Sequence, residues 1–276
     1  MSDLRLRARP VAEIVDAAFQ LYRRDAAEYL LITALAYAPA LVAQLLLLGA
    51  STEIASFSPT QGAVAFVLLV FSFFTFCVMW AALTLFASEV YLGRMPELGI
   101  VARAALGRLP AVLGSTIAFA LVLALGAVPV ALAVATANPV LIAFSVLLPL
   151  AWWLYAYARY FALLQIVVLE RADVVTAFRR SALLSRNIKL HILLTMFLVF
   201  VIVGVLSFAV LIPATLFGSP VVAAVVQTCY VIAAYPLIGI TQMVLYYDAR
   251  IRAEGFDIEV MAQALGPAQT PERIAP

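Results

Sequence analysis

Two charged residues, Glu89 and Arg159, lie inside long apolar segments of this 276-residue chain. A charge within a membrane-spanning helix is costly to bury and often marks an ion or substrate pathway. Two other interpretations compete with that one: a Glu89–Arg159 ion pair, and anchoring at the membrane boundary, where long side chains reach water. Arg159 stands in a stretch typical of such a boundary, with the aromatic residues Trp152, Trp153, Tyr155, Tyr157 and Tyr160. We therefore favour anchoring or a Glu89–Arg159 pair over transport.

Three uncharged polar residues in the apolar segments, Ser88, Gln165 and Gln242, follow one another at intervals of 77 residues. They could form a polar ring near the inner mouth of a channel. In helical membrane proteins such side chains more often join neighbouring helices by hydrogen bonds. Both interpretations stay open at this point.

Catalytic motifs are missing from the chain. Phosphate-binding loops need Gly-x-x-x-x-Gly-Lys-Ser/Thr, but the only lysine, Lys189, follows Ile188. The only histidine, His191, excludes a His-Glu-x-x-His zinc site and is better explained as a side chain at the membrane boundary. Cys77 and Cys229 lie in apolar runs and form no Cys-x-x-Cys pair. We predict no catalytic, cofactor or metal site, and hence a protein that is not an enzyme.

The composition predicts a membrane protein. Hydrophobic residues make up 66% of the chain and charged residues 12%, about half the charged fraction of a typical soluble domain. The mean hydropathy is +1.10. A helix crosses the hydrocarbon core with about 20 residues, and helices satisfy their own backbone hydrogen bonds in lipid. We predict an all-α polytopic bundle with about six spans, at 27–50, 63–92, 111–136, 140–169, 190–217 and 221–247.

Basic residues are confined to alternate connections. The segments 51–61, 137–139 and 218–220 contain none, whereas the other connections and the two termini hold every lysine and arginine except Arg159. By the positive-inside rule, the basic connections and both termini lie in the cytoplasm. The net charge of +2 argues against a nucleic-acid partner.

Each of the three predicted hairpins follows an amphipathic segment. One begins at Pro10 and ends at Arg24, and the others are 96–109 and 172–188. Acids come first and bases last in each, the order that the helix dipole favours. We predict three short helices in the cytoplasmic interface, and a fourth at 258–265 that Asp257 caps.

A weak internal repeat follows from this plan. Arg94, Arg171 and Asp248 are also spaced by 77 residues, and Pro39, Pro129 and Pro213 are expected to kink the first, third and fifth spans. We predict one integral membrane domain, 1–276, with parallel repeats at 10–93, 94–170 and 171–247 and a cytoplasmic tail at 248–276.

Three segments carry a resemblance to a known family: RPVAEIVDAAFQLYRRDAAEYLL, ERADVVTAFRRSALLSRN and YYDARIRAEGFDIEVMAQAL. Together they resemble the bacterial glycerophosphoryl diester phosphodiesterase membrane-domain family. The resemblance implies a bacterial plasma-membrane protein. It carries over no activity, because a phosphodiesterase barrel needs a cluster of carboxylates and histidines, and this chain has one histidine.

We therefore expect a non-enzymatic inner-membrane protein that scaffolds, assembles or regulates a membrane process, with membrane lipids and other membrane proteins as candidate partners. The alternative is a transporter or channel for a small or lipid-like molecule. A continuous polar line through the bundle would favour transport, and an apolar interior would favour the scaffold.

Overall fold

A computed structural model describes residues 7–50, 59–217 and 219–255. These residues form helices and no strand, so the prediction of an all-α fold is confirmed. The helices in chain order are α1 (Val11–Arg24), α2 (Ala26–Ala50), α3 (Pro59–Tyr91), α4 (Leu98–Ala124), α5 (Val128–Ala135), α6 (Pro139–Ser145), α7 (Leu147–Tyr160), α8 (Leu163–Leu169), α9 (Val174–Leu184), α10 (Lys189–Phe217) and α11 (Pro220–Glu254).

Long apolar helices dominate the described chain. By length and composition, five segments could cross a membrane: Phe66–Tyr91, Leu98–Ala135, Leu147–Leu169, Lys189–Leu216 and Pro220–Glu254. A sixth span could come from α2, whose first part passes this test together with α1 although the two helices meet at an angle of 86°. The prediction of about six spans is confirmed, and the chain is a multi-pass membrane protein.

The short helix α1 lies across the bundle, nearly perpendicular to the α2 span that follows it. One face of α1, which includes Ile14, Ala18 and Leu21, is buried against α10 and α11. Its apolar stripe therefore packs on protein, although the sequence predicted only that it would lie in the membrane interface.

The second predicted interfacial helix, 96–109, does not exist as a separate element. Helix α4 continues from Leu98 through Pro110 into the span. Val101, Ala105 and Val112 are buried on α4 at spacings that place them on one helix face. A single packing stripe passes the proline, so nothing requires the helix to turn there. The third predicted interfacial helix, 172–188, corresponds to α9.

Two predicted spans are interrupted. The span at 111–136 contains a 3₁₀ turn at Leu125–Ala127, and the predicted kink at Pro129 falls just after it. The span at 140–169 is divided into α6, α7 and α8, with breaks at Val146 and at residues 161–162. By contrast, Pro39 and Pro213 lie inside helices that continue through them.

The last helix continues into the segment predicted as the tail. Helix α11 runs past residue 248 to Glu254 and ends at Gly255, whose φ of 65° is left-handed. Glycine adopts this conformation without steric cost and is the usual residue after a helix end. The predicted helix at 258–265 lies outside the described residues.

The core lies at the end of the bundle where α3, α8 and α11 finish and α2, α4 and α10 begin, which we call the polar end. On α11 most residues from Ala234 to Ile251 are buried, and on α3 the buried residues run from Cys77 to Tyr91. Toward the opposite end, many large apolar side chains are exposed, among them Leu121, Leu132, Leu206 and Phe208. In a membrane these side chains contact acyl chains.

We expect the polar end to face the cytoplasm, because it carries nearly all of the basic residues. In intact cells, single cysteines at Asn138 and Ser219 should react with a membrane-impermeant thiol reagent. Cysteines at Arg103 and Arg179 should react only after the cells are opened.

The single-cysteine variants are made in a protein in which the native Cys77 and Cys229 are replaced by alanine and serine. Labelling of position 103 in intact cells would show that the orientation is the reverse.

Candidate functional site

The Asp248 carboxylate is the best-connected polar group of the polar end. It is only 1% exposed and accepts hydrogen bonds from the backbone N–H of Arg9 at 2.7 Å and from Nε of Arg252 at 2.7 Å. Nε2 of His191 lies 3.3 Å from the same carboxylate. Arg252 also donates to the Arg9 carbonyl at 2.7 Å. The cluster joins the segment before α1 to the start of α10 and the end of α11.

A second ionic network joins α8, α9 and α11. Arg180 of α9 pairs with Glu170 at the end of α8 and with Glu254 of α11 at 2.9 Å. The Tyr246 hydroxyl donates to Glu170 at 2.7 Å, and Arg250 donates to Glu254 at 3.0 Å. Ion pairs that share partners in this way restrain three helices at once.

Helix α9, which contributes Arg180, begins at a capped N-terminus. The Asp173 carboxylate accepts from the backbone N–H groups of Val175 at 3.1 Å and Thr176 at 3.2 Å. A hydrogen bond from the Thr176 side chain and then the backbone bonds lower the pKa of Asp173 below its ordinary value. The cap is therefore present at neutral pH, and it is lost only as the pH falls through this lowered pKa.

The predicted Glu89–Arg159 ion pair is wrong. Glu89 instead pairs with Arg94 at 3.3 Å, and their side chains are 37% and 69% exposed. Arg159 donates to the hydroxyls of Tyr160 at 3.3 Å and Tyr155 at 3.2 Å. The sequence predicted that both charges lie near one another because their spans run in the same direction. Each charge instead contacts a residue within five positions of it in the sequence.

The three residues considered for a polar ring at a channel mouth have different environments. Ser88 shares a buried hydrogen bond of 2.7 Å with the Tyr247 hydroxyl, and Gln242 donates to the Tyr157 hydroxyl at 3.0 Å. Gln165 is 1% exposed, and its amide makes no hydrogen bond within the described chain. Two of the three thus join one helix to another.

The break between α7 and α8 exposes the Arg159 carbonyl, which two serines of the α9 region satisfy. Ser185 donates to this oxygen at 3.0 Å and Ser181 at 3.3 Å. Ser181 Oγ also accepts from the Ala162 N–H at 3.2 Å. The backbone of Arg159 therefore lies against the α9 region. Sequence reasoning missed both serines, although their four-residue spacing on an amphipathic helix marks a shared face.

Two tryptophans support the other break. The indole N–H groups of Trp152 and Trp153 donate to the carbonyls of Val122 at 2.8 Å and Leu123 at 2.9 Å, just before the 3₁₀ turn. A Cβ at Gly126 would lie 2.5 Å from the Trp152 ring. Sequence reasoning assigned these tryptophans to an interfacial belt, whereas their N–H groups serve the interrupted helix.

A cavity of about 230 Å³ lies between α3, α4, α7, α8 and α11. Its polar lining comes from Ser115, Thr116, Tyr157 and Gln242, and the rest is mainly aromatic and aliphatic. An apolar groove of about 400 Å³ lies between α2, α3 and α4. Within the described ranges, no three potential metal ligands cluster.

Comparison of the chain with protein-family models, curated proteins and solved structures finds no match. The resemblance to the phosphodiesterase membrane-domain family therefore stays a prediction.

Replacing Asp248 with asparagine should lower the free energy of unfolding by about 3–5 kcal/mol, because it removes one partner of a buried charge cluster. Thermal unfolding in detergent measures the change. The matched control is Glu89→Gln, which breaks an exposed pair and should cost less than about 1 kcal/mol. Equal losses in the two variants would contradict the central place given to Asp248.

Replacing Ser181 and Ser185 together with alanine should lower the free energy of unfolding by about 1–3 kcal/mol, since a buried carbonyl loses its donors. Thr215→Ala is the control, because that exposed hydroxyl bonds only to its own helix, at the Ile212 carbonyl. Thermal melts that coincide for the serine variant and the control would mean that the break does not depend on these donors.

Proposed function

We propose that this chain is a non-enzymatic scaffold in the bacterial inner membrane, with both termini in the cytoplasm, and that its polar end binds partners. The observation that carries the proposal is a set of exposed arginines outside the ion pairs of the described chain: Arg23, Arg103, Arg171, Arg179 and Arg186. We call this set the cationic face.

Five acids of the polar end are already engaged within the protein. Asp248, Glu170 and Glu254 each pair with basic side chains, Asp25 pairs with Arg24 at 2.8 Å, and Asp173 caps α9. The five arginines of the cationic face therefore outnumber the acids that make no ion pair in the described part of this end, Asp16, Glu28 and Glu97. Such a surface attracts anionic lipids and acidic protein segments.

The cationic face is also held on a rigid base. Arg171, Arg179 and Arg186 flank or belong to α9, which Arg180 ties to α8 and α11. A surface that changes little on binding loses less conformational entropy than a flexible one. This rigidity suits a protein that positions other components.

Transport remains the second candidate because of the 230 Å³ cavity and its Gln242–Tyr157 pair. A transport path would have to continue toward the end opposite the polar end. The lining residues of α3 and α4 nearest to that end are Phe76 and Phe119, which offer no hydrogen bond to a polar solute. An apolar interior at this level favours the scaffold over a channel for ions.

We expect a photoreactive amino acid at the polar end to capture discrete partners in living cells. Val175 and Ala104 are exposed sites next to the cationic face, and Leu206 and Leu216 are exposed sites on the lipid-facing spans. Benzoylphenylalanine at positions 175 and 104 should give protein adducts of defined mass, and at 206 and 216 it should not. Denaturing electrophoresis after irradiation, followed by mass spectrometry, measures the adducts.

Charge reversal tests the role of the arginines. Arg171→Glu together with Arg186→Glu should reduce the adducts at position 175 at least several-fold while the protein stays folded in detergent. Adducts that are equally strong on the lipid-facing spans, or that survive charge reversal, would contradict the proposal. Solute flux in proteoliposomes made from the purified protein alone would favour the transporter.

A further inference from the structure

Two cations flank a single exposed tyrosine where α7 meets the start of α10. The Arg159 guanidinium carbon lies 5.9 Å from the centre of the Tyr155 ring, and the Lys189 ammonium lies 5.6 Å from it. The Tyr155 side chain is 44% exposed. Cation–π contacts hold each charge in place, but they do not neutralise it.

Neither cation has a carboxylate partner in the part of the chain that the structure describes. Arg94, Arg180 and Arg252 each pair with an acid. The arginines of the cationic face also lack an acid partner, but none of them contacts an aromatic ring in the described chain. Two like charges brought to one ring repel each other, and partial removal from water strengthens the repulsion. An anion between them would reverse the sign of this interaction.

The position of the pair relative to the bundle restricts the anion. The Arg159 carbonyl is bonded by serines of the α9 region, and Lys189 is the first residue of α10. Lys189 therefore lies at the boundary of its span, where headgroups are found, and the Tyr155 ring that both cations contact places Arg159 at the same level. Directly along the two helices, toward the opposite end, lie exposed apolar side chains, among them Leu154, Leu194 and Phe197.

We propose that Arg159 and Lys189 form a binding site for one anionic phospholipid, whose phosphate lies between the guanidinium and ammonium groups. The hydroxyls of Tyr155 and Tyr160, which already accept from Arg159, limit the motion of the guanidinium. The acyl chains lie on the exposed apolar surface of α7 and α10. A phospholipid would contact both the two cations, through its phosphate, and the apolar surface, through its acyl chains. A soluble anion would contact only the cations. The inference needs only the membrane embedding and goes beyond the scaffold function.

The site can be tested by native mass spectrometry of the detergent-purified protein with added phosphatidylglycerol or phosphatidylcholine. The unmodified protein should retain one phosphatidylglycerol in preference to phosphatidylcholine. Each basic residue near a membrane surface contributes about a five-fold preference for anionic lipid. Arg159→Gln together with Lys189→Gln should therefore lower the preference by roughly twenty-five-fold.

Two control variants define the result. Arg7→Gln with Arg94→Gln removes the same charge from two exposed arginines that already pair with Glu13 and Glu89, and it should change the retained lipid by less than two-fold. Arg159→Lys with Lys189→Arg keeps both charges and should retain the lipid. An unchanged preference in the Arg159→Gln/Lys189→Gln variant, or an equal loss in the Arg7/Arg94 control, overturns the site.

A second measurement on the unmodified protein covers the case in which the glutamine variant does not fold. Phosphatidylglycerol with a diazirine in an acyl chain should cross-link to α7 and α10, and excess phosphatidylglycerol should compete where phosphatidylcholine does not. Adducts spread evenly over all lipid-facing helices would refute the site. Loss of the lipid site would leave the protein adducts at position 175 unaffected, so the two proposals fail separately.

Discussion

The arrangement of the polar end depends on the burial of one carboxylate, that of Asp248. A carboxylate removed from water is strongly destabilising unless hydrogen-bond donors and positive charge replace its hydration. Here the replacement comes from two separate parts of the chain, the Arg9 backbone N–H and the Arg252 guanidinium, and His191 lies beside the carboxylate. Both donors reach the carboxylate when the N-terminal segment lies against the end of α11. This arrangement places α1 across the bundle, and the position of α1 in turn covers the apolar faces of α10 and α11.

At the two helix breaks, backbone carbonyls also need hydrogen-bond donors from other parts of the protein. Lipid offers no hydrogen bond to a free carbonyl, so an interrupted span must find donors within the protein. Serines of the α9 region serve the carbonyl of Arg159, and tryptophan indoles serve Val122 and Leu123. The breaks therefore bring distant segments together, and they fix the relative position of α4, α7 and α9. Interrupted helices in this bundle are points of attachment between elements.

Sequence patterns predicted the features that depend on composition and local order. The apolar runs gave the number of spans, and the order of acids and bases marked α1 and α9. The same order failed at 96–109, because the buried stripe of Val101, Ala105 and Val112 continues through Pro110. The ion pairs of Asp248, Glu170 and Glu254 were out of reach, since each joins residues that are distant in sequence. The separation of Glu89 from Arg159 has a similar cause: depth along a span does not tell which way a side chain points around it.

The concentration of the core at one end has a mechanical consequence. Regions with few buried contacts open at a lower free energy than the rest of a structure, and here those regions are the helix ends around Leu132, Leu206 and Phe208. Heat or pulling force should therefore separate the helices first at the end opposite the ion pairs. The helices should stay joined at the polar end while their opposite ends separate. A force applied at those opposite ends should therefore load the ion pairs of the polar end only after the helices there have separated.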